Sequence, residues 1–359
     1  MTTSSPIKAM VLAAGEGRRL RPLTVFWAKP AIPLLGGSPI EYAVELLRRA
    51  GVREVVVNLH HKPQSIVDAL SGSDGGKDLV IHYSRETEIL GTAGGLKQAE
   101  EWLSDGSFVL LNGDTVVDTD LGTLIDWHKR KEARATLLLR SKPEGSSYTE
   151  LHLADDGHIV SIGKKSESSS PLMFAGLWVL EPTVFEYLAA GRFGRLEVDL
   201  LPKLLMEGSA FGYVSDSPWF DIGTPENYLR ACQELAHGGI FRSRWRAQVV
   251  EPPPSWPPGT LVVAGPGTSI DREALFSGTS ILGADCRVDR GARVHGAVLW
   301  DRVTVGEAAL LRDSVIASDV ALPPAGRTVR KVMARLGRNQ TLLREREVSG
   351  DCVVVSIKR

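Results

Sequence analysis

The residues best placed to do chemistry are cations set around a glycine turn. A short apolar run, Met10 to Ala14, empties into Gly15-Glu16-Gly17; Arg18, Arg19 and Arg21 follow, then Lys29 with Pro30. Small residues let the backbone turn sharply and present its N–H groups. With cations around it, such a turn is a place to hold phosphates. Two carboxylates are candidates for the other half of that chemistry. Asp114 closes an apolar, strand-like run after Asn112-Gly113, and Asp221 sits in the tight sequence Phe220-Asp-Ile-Gly223. A carboxylate at the carboxyl end of a strand can hold Mg²⁺ against phosphate oxygens. Asp also caps turns for structural reasons alone, so the two gain weight only with each other and with the cationic turn.

These residues need a frame, and the first two thirds of the chain supply the pattern of one. Ser38 to Ala50 reads as a helix with Pro39 in its first turn and Ile40, Ala43, Val44 and Leu47 on one face. Val55 to Leu59 reads as a strand, Pro63 to Leu70 as a helix and Leu79 to Tyr83 as a strand. A helix over Thr92 to Leu103 opens at Gly91-Thr92-Ala93-Gly94-Gly95. Phe108 to Leu111 is a strand, Leu121 to Lys131 a helix and Thr136 to Arg140 a strand. This alternation predicts an open α/β sheet with helices on both faces. Leu151 to Leu153, His158 to Ile162 and Met173 to Leu180 read as strands joined by turns, an antiparallel insertion expected over one sheet edge. Helices at Pro182 to Ala190, Val198 to Met206 and Pro225 to Leu235, with a strand at Phe211 to Val214, complete a first domain over residues 1–240.

Beyond it the texture changes. Five prolines within Glu251 to Gly259 predict a stiff linker over 241–259. From 260 to 325, apolar residues recur every five or six positions between Gly283, Gly291, Gly296 and Gly306. That is an imperfect hexapeptide repeat and predicts a short parallel β-helix of about three coils at roughly 18 residues each. The basic tail, 326–359, places Val329, Val332, Met333 and Leu336 at helical spacing, so it reads as a capping helix over the open end of the repeat. A nucleic-acid patch is the sharper alternative, but a short charge run is usually a solvated face.

Bulk properties narrow the function. Apolar content of 43% and charged content of 24% are those of an ordinary globular protein, and a net charge of −1 gives no global pull toward nucleic acid or an anionic membrane. Phosphate binding must therefore be local. Cys232, Cys286 and Cys352 lie far apart without metal-ligand spacing, and no signal-peptide pattern opens the chain, so a cytoplasmic location is expected. His60-His61 read as loop residues. His295 is the histidine within the repeat; acyl transfer from it is disfavoured because few coils build little acceptor groove.

Leu12 to Thr24 with Lys29-Pro30, then Gly91 to Gly95, Asn112-Gly-Asp114 and Phe220-Asp-Ile-Gly-Thr-Pro225, resemble in order the motifs of the sugar-1-phosphate nucleotidyltransferases. The resemblance covers residues 7 to about 237, and Arg85 to Gly95 is most similar to the mannose-1-phosphate guanylyltransferase branch. It implies a Rossmann-like open mixed sheet followed by a short left-handed β-helix. The implied reaction is attack of a sugar 1-phosphate on the α-phosphate of an NTP, with GTP and mannose 1-phosphate favoured. A uridylyl- or thymidylyltransferase acting on another hexose or amino-sugar 1-phosphate is the runner-up; a non-catalytic subunit of the same fold is the reading from another class. By the resemblance, Arg19 and Lys29 are catalytic. Ala13, Ala14, Gly15, Gly17, Gly91, Thr92 and Asp114 bind nucleotide. Lys165, Gly176 and Glu197 bind the sugar phosphate, and Asp114 with Asp221 holds Mg²⁺. The chain departs from the family at Gly163-Lys164-Lys165, where relatives carry Glu-Lys-Pro, and at Phe174, where Asn is common. The expected partners are the two substrates and further copies of the chain, met through the β-helix, with no nucleic acid and no membrane.

Overall fold

A computed structural model describes residues 7–72, 78–163, 171–238, 248–335, 347–349 and 351–358. They fall into two compact units that interleave along the chain. The first comprises residues 1–16, 28–31 and 39–220; the second comprises 17–27, 32–38 and 221–359.

The first unit alternates strand and helix for much of its length. In order come β1 (Lys8–Leu12), α1 (Pro39–Arg49), β2 (Glu54–Leu59), α2 (Pro63–Ser71), β3 (Val80–Arg85), α3 (Gly91–Gln98), α4 (Glu100–Leu103), β4 (Phe108–Asn112), β5 (Thr115–Val117), α5 (Leu121–Arg130) and β6 (Ala135–Ser141). Then follow β7 (Leu151–Leu153), β8 (Ile159–Ile162), β9 (Leu172–Leu180), α6 (Leu196–Asp199), α7 (Leu201–Met206) and β10 (Ala210–Val214). The main sheet runs β10-β6-β9-β4-β1-β2-β3, parallel except for β9, which is antiparallel to both neighbours. Successive side chains of its strands serve opposite faces. Ala9, Val11, Val55, Val57, Val109 and Leu111 pack in one apolar cluster with α1 and α2. Met10, Val56, Phe108 and Leu110 pack in another with α3, α4 and α7. Burial on both faces is why these strands read as unbroken apolar runs.

Three expectations change here. The antiparallel strands were expected over one sheet edge, yet β9 runs through the middle, between β4 and β6, and only β7 and β8 lie off the main path. Six consecutive buried residues, Ala175 to Leu180, account for it, since an edge strand would leave one side wet. The helix expected over Thr92 to Leu103 is interrupted at Ala99, and the one expected from Pro182 is a 3₁₀ helix ending at Tyr187.

The second unit is built on a left-handed parallel β-helix. Leu261 pairs with Thr279, 18 residues on; Ile281 then pairs with Val298, Val298 with Val315 and Val315 with Val332, each 17 residues on. Two further ladders, over 269–322 and 275–329, form the other faces with four strands each. Corners are turned by residues of positive φ stacked coil over coil, as at Asp285, Arg302 and Asp319. The repeat thus has four coils rather than three, and it continues into 327–335. There the expected helix is a strand, Lys331–Arg335, which extends the ladder and pairs antiparallel with Cys352–Ser356. The spacing of Val332 and Met333 suits a helix face, but the unpaired edge of the last coil offers these residues a ladder instead. Leu336 lies outside the described residues.

The proline-rich stretch also does more than link. The Trp256 ring packs on Phe276 with centroids 4.8 Å apart, and its Nε1–H donates to the Ala274 carbonyl at 2.9 Å. All three cysteines are buried thiols of this unit. Burial pushes Cys232 up to about 12 and Cys286 and Cys352 up to about 11. Among the described residues no helix is long and apolar enough to cross a membrane.

Candidate active site

In the first unit, Lys29 and Asp114 meet. Lys29 starts a 3₁₀ turn and is only 6% exposed; its Nζ donates to Asp114 Oδ2 at 2.6 Å. Asp114 follows β4 at the carboxyl end of that strand, and its side chain is 39% exposed. Gly113 permits this placement, because a Cβ there would stand 2.9 Å from the Leu12 carbonyl oxygen and 3.4 Å from Pro30 Cβ. The ammonium is thus held by a fixed carboxylate at the edge where open α/β sheets gather ligands.

The exit from β1 is held from below by buried polar groups. Ala13 N–H donates to Asn58 Oδ1 at 2.6 Å, Asn58 Nδ2 donates to Glu86 Oε1 at 2.7 Å, and Leu90 N–H donates to Glu86 Oε2 at 2.9 Å. Asn58 is 2% exposed and Glu86 6%. One amide and one carboxylate therefore join the Ala13–Gly15 turn to the Gly91 turn. Neither was expected as a site residue. The available signals were a polar residue inside the β-branched run of β2 and an acid just before the Gly91 motif. Gly15 is exposed, and a Cβ there would meet nothing within 4 Å. Packing therefore does not demand glycine at this position.

Gly91 to Gly95 behaves differently. A Cβ on Gly91 would stand 2.2 Å from the Gly194 carbonyl oxygen, and one on Gly94 would stand 2.2 Å from that of Arg192. Ala93 N–H donates to Gly194 O at 3.0 Å, and Thr92 Oγ1 accepts Leu196 N–H at 2.9 Å. These glycines admit the 192–196 segment, and Thr92 is engaged by it. Glu197 follows this segment and is exposed. Gly176, mid-strand in β9, has φ +87° and lies against Thr115, where a Cβ would be 3.0 Å from Oγ1. Lys165 lies outside the described residues.

In the second unit, Gly17 takes φ 60° and starts a 3₁₀ turn over Arg18–Leu20; its carbonyl accepts Leu20 N–H at 3.0 Å and Thr24 Oγ1–H at 2.8 Å. Arg19 is exposed. Asp221 Oδ1 accepts Gly223 N–H at 2.7 Å and Oδ2 accepts Asn227 Nδ2–H at 3.3 Å, just before α8 (Pro225–His237), which Thr224 caps. A Cβ on Gly223 would stand 2.9 Å from Asp221 Oδ1 and 3.1 Å from an Arg19 guanidinium nitrogen. Cation and carboxylate therefore converge over Gly223.

Among the described residues no group of three or more His, Cys, Asp or Glu could hold a metal ion. Mg²⁺ needs no such cage; it usually takes one or two carboxylates with water and substrate phosphates. The carboxylates of Asp114 and of Asp221 each offer hard oxygens of that kind.

Residues 8–238 match the Nucleotidyl transferase family, and 266–329 match the GlmU-like C-terminal hexapeptide family. A UTP–glucose-1-phosphate uridylyltransferase of Synechocystis sp. is 33% identical, covering 86% of this chain and 87% of its own. A mannose-1-phosphate guanylyltransferase of Mycobacterium tuberculosis is 29% identical, covering 83% and 81%. The crystal structure of HddC from Yersinia pseudotuberculosis complexed with GMP-PN is 26% identical, with a TM-score of 0.55, over 64% of this chain and 99% of that one. With its glycine turn, its strand-end carboxylate and a match across most of its length, the chain belongs to the nucleotidyl transferase family.

Proposed function

We propose that the protein transfers a nucleotidyl group from an NTP to a sugar 1-phosphate, releasing pyrophosphate. The observation that carries this is the Lys29–Asp114 pair at the carboxyl end of β4, within a chain of this family. A phosphate oxygen of the sugar 1-phosphate attacks the α-phosphorus, the bond to the β-phosphate breaks, and that electron pair leaves with pyrophosphate. Negative charge builds on the attacked phosphate and the leaving group, so catalysis is mainly electrostatic. Arg19 is assigned to the departing β- and γ-phosphates and Lys29 to the reacting phosphates. Ala13 to Gly17 present backbone N–H groups, apart from that of Ala13, which Asn58 engages. Mg²⁺, when bound, neutralises triphosphate oxygens, and Asp114 and Asp221 are the residues that would hold it. Lys165, Gly176 and Glu197 are assigned to the sugar phosphate.

GTP and mannose 1-phosphate are the favoured pair, on the sequence from Arg85 to Gly95 and relatives such as the mycobacterial guanylyltransferase. UTP and glucose 1-phosphate are the second reading, which the 33% identical Synechocystis relative favours. Purified protein with Mg²⁺, each of ATP, GTP, CTP, UTP and dTTP, and a panel of sugar 1-phosphates separates them by pyrophosphate release. Turnover of UTP with GTP idle overturns the guanylyl reading, and no turnover of any pair overturns nucleotidyl transfer. A chelator should abolish the activity and added Mg²⁺ restore it. Self-association is assigned to the β-helix; a chain cut within 251–258 that kept the same sedimentation-derived oligomer would refute that.

A further inference from the structure

The third coil of the repeat and the loop after Lys29 meet at one hydroxyl, within the second unit. Tyr228, on α8, is fully buried. Its hydroxyl donates to the Pro33 carbonyl and accepts the Nε1–H of Trp300 at 2.9 Å. Burial raises this phenol well above its ordinary range, so the hydroxyl keeps its proton and remains a donor. Trp300 is 3% exposed and follows the strand Val298–Leu299; Pro33 lies four residues beyond Lys29. The helix touches the repeat twice more. Gln233 Nε2 donates to Gly296 O at 2.9 Å, and His237 Nε2 meets Thr279 Oγ1 at 2.8 Å.

The hydroxyl reaches the 32–38 segment at Pro33. Residues 17–27 hold two 3₁₀ turns, and 32–38 hold a single bridge, Leu34 with Gly37. Neither belongs to a sheet ladder that would fix it. The same helix begins directly after the Asp221–Gly223 turn, over which the Arg19 guanidinium lies.

We propose that Tyr228 is a positioning residue for the reaction: through its hydroxyl, the β-helix holds the 32–38 segment and the helix that starts behind the Asp221–Gly223 turn, over which Arg19 lies. The repeat then bears on the reaction through its own unit and is more than an assembly handle. This rests on the nucleotidyl-transfer reading, and its test has one arm that needs no turnover.

The test uses full-length Tyr228→Phe, Trp300→Phe and the double variant. Steady-state kinetics are run with the NTP and sugar 1-phosphate that wild type uses, beside hydrogen exchange of peptides from 17–38 and from β4. Tyr228→Phe keeps the ring and removes both bonds, so kcat should fall about tenfold while KM for the sugar 1-phosphate stays within about twofold. The double variant should be no worse than Tyr228→Phe, because both bonds share one hydroxyl. Peptides from 17–38 should exchange faster and those from β4 should not. Unchanged kcat with a lowered melting temperature leaves Tyr228 a purely structural residue and overturns the proposal, as does unchanged exchange over 17–38. Should Tyr228→Phe fail to fold, Trp300→Phe decides by the same exchange, since it spares the Pro33 bond and keeps an aromatic ring. If wild type turns over nothing, the nucleotidyl-transfer reading has failed, and exchange alone rules on the tether.

Discussion

The two units hold their charged groups by opposite means. In the first, Lys29 is sunk to 6% exposure and fixed by a carboxylate at 2.6 Å. In the second, Arg19 is exposed, and Asp221 is fixed by a turn, with one oxygen on the Gly223 N–H and the other on Asn227. Burial binds function to stability, because an ammonium out of water needs its partner. A turn keeps the two apart, because the exposed side chain contributes little to folding.

That contrast can be broken most sharply at Asp114. Asp114→Ala should lower kcat/KM about 10³-fold by the measure of other electrostatic stabilisers. It should also cost about 1–3 kcal/mol in urea unfolding by leaving Lys29 without its charge-assisted bond. Loss of activity with untouched stability would mean that burial does not couple the two. Arg19→Ala is the counterpart: kcat/KM falls about 10²-fold, while stability stays within about 0.5 kcal/mol. A large fall in melting temperature would erase the difference between the units. Gly94→Ala tests the buried side without touching a charge. Its Cβ would stand 2.2 Å from a backbone oxygen, so overpacking should cost about 1–3 kcal/mol, read by denaturant unfolding. The smallest effect belongs to the turn side. Thr224→Ala removes the α8 cap and should cost about 1 kcal/mol, with KM for the NTP rising only if the Asp221 turn relaxes with it.

How much of this was legible in the sequence follows from how local each feature is. Strand β2 and helices α1, α5 and α8 were readable because apolar spacing and capping residues lie within the element itself. The place of β9 was not, because sheet order is set by pairing between distant segments. Strand β5 is three residues long, too short for any period. Val332 and Met333 satisfy helical spacing and a strand ladder alike, and the ladder wins because a coil edge waits there. Lys29 and Asp114 were singled out by type and motif, but their direct bond is tertiary. Gly91 was expected, through the resemblance, to bind nucleotide; the near neighbours of Gly91 and Gly94 are carbonyls about a hundred residues away. Glu86 was not singled out, since its place before the Gly91 motif does not show that the acid will be buried.

The cysteines carry a practical consequence. All three belong to the second unit, none is paired, and burial keeps each thiol protonated at neutral pH. Thiolate is the reactive form, so an alkylating reagent should wait for the chain to open. Cys286 and Cys352 lie in the repeat and its closing strand; Cys232 lies on α8, one turn from Tyr228. Labelling rates at these sites would time the opening of this unit alone, with the first unit silent because it has no cysteine. The native chain thus already carries three site-resolved clocks for the unit that bears Arg19 and Asp221.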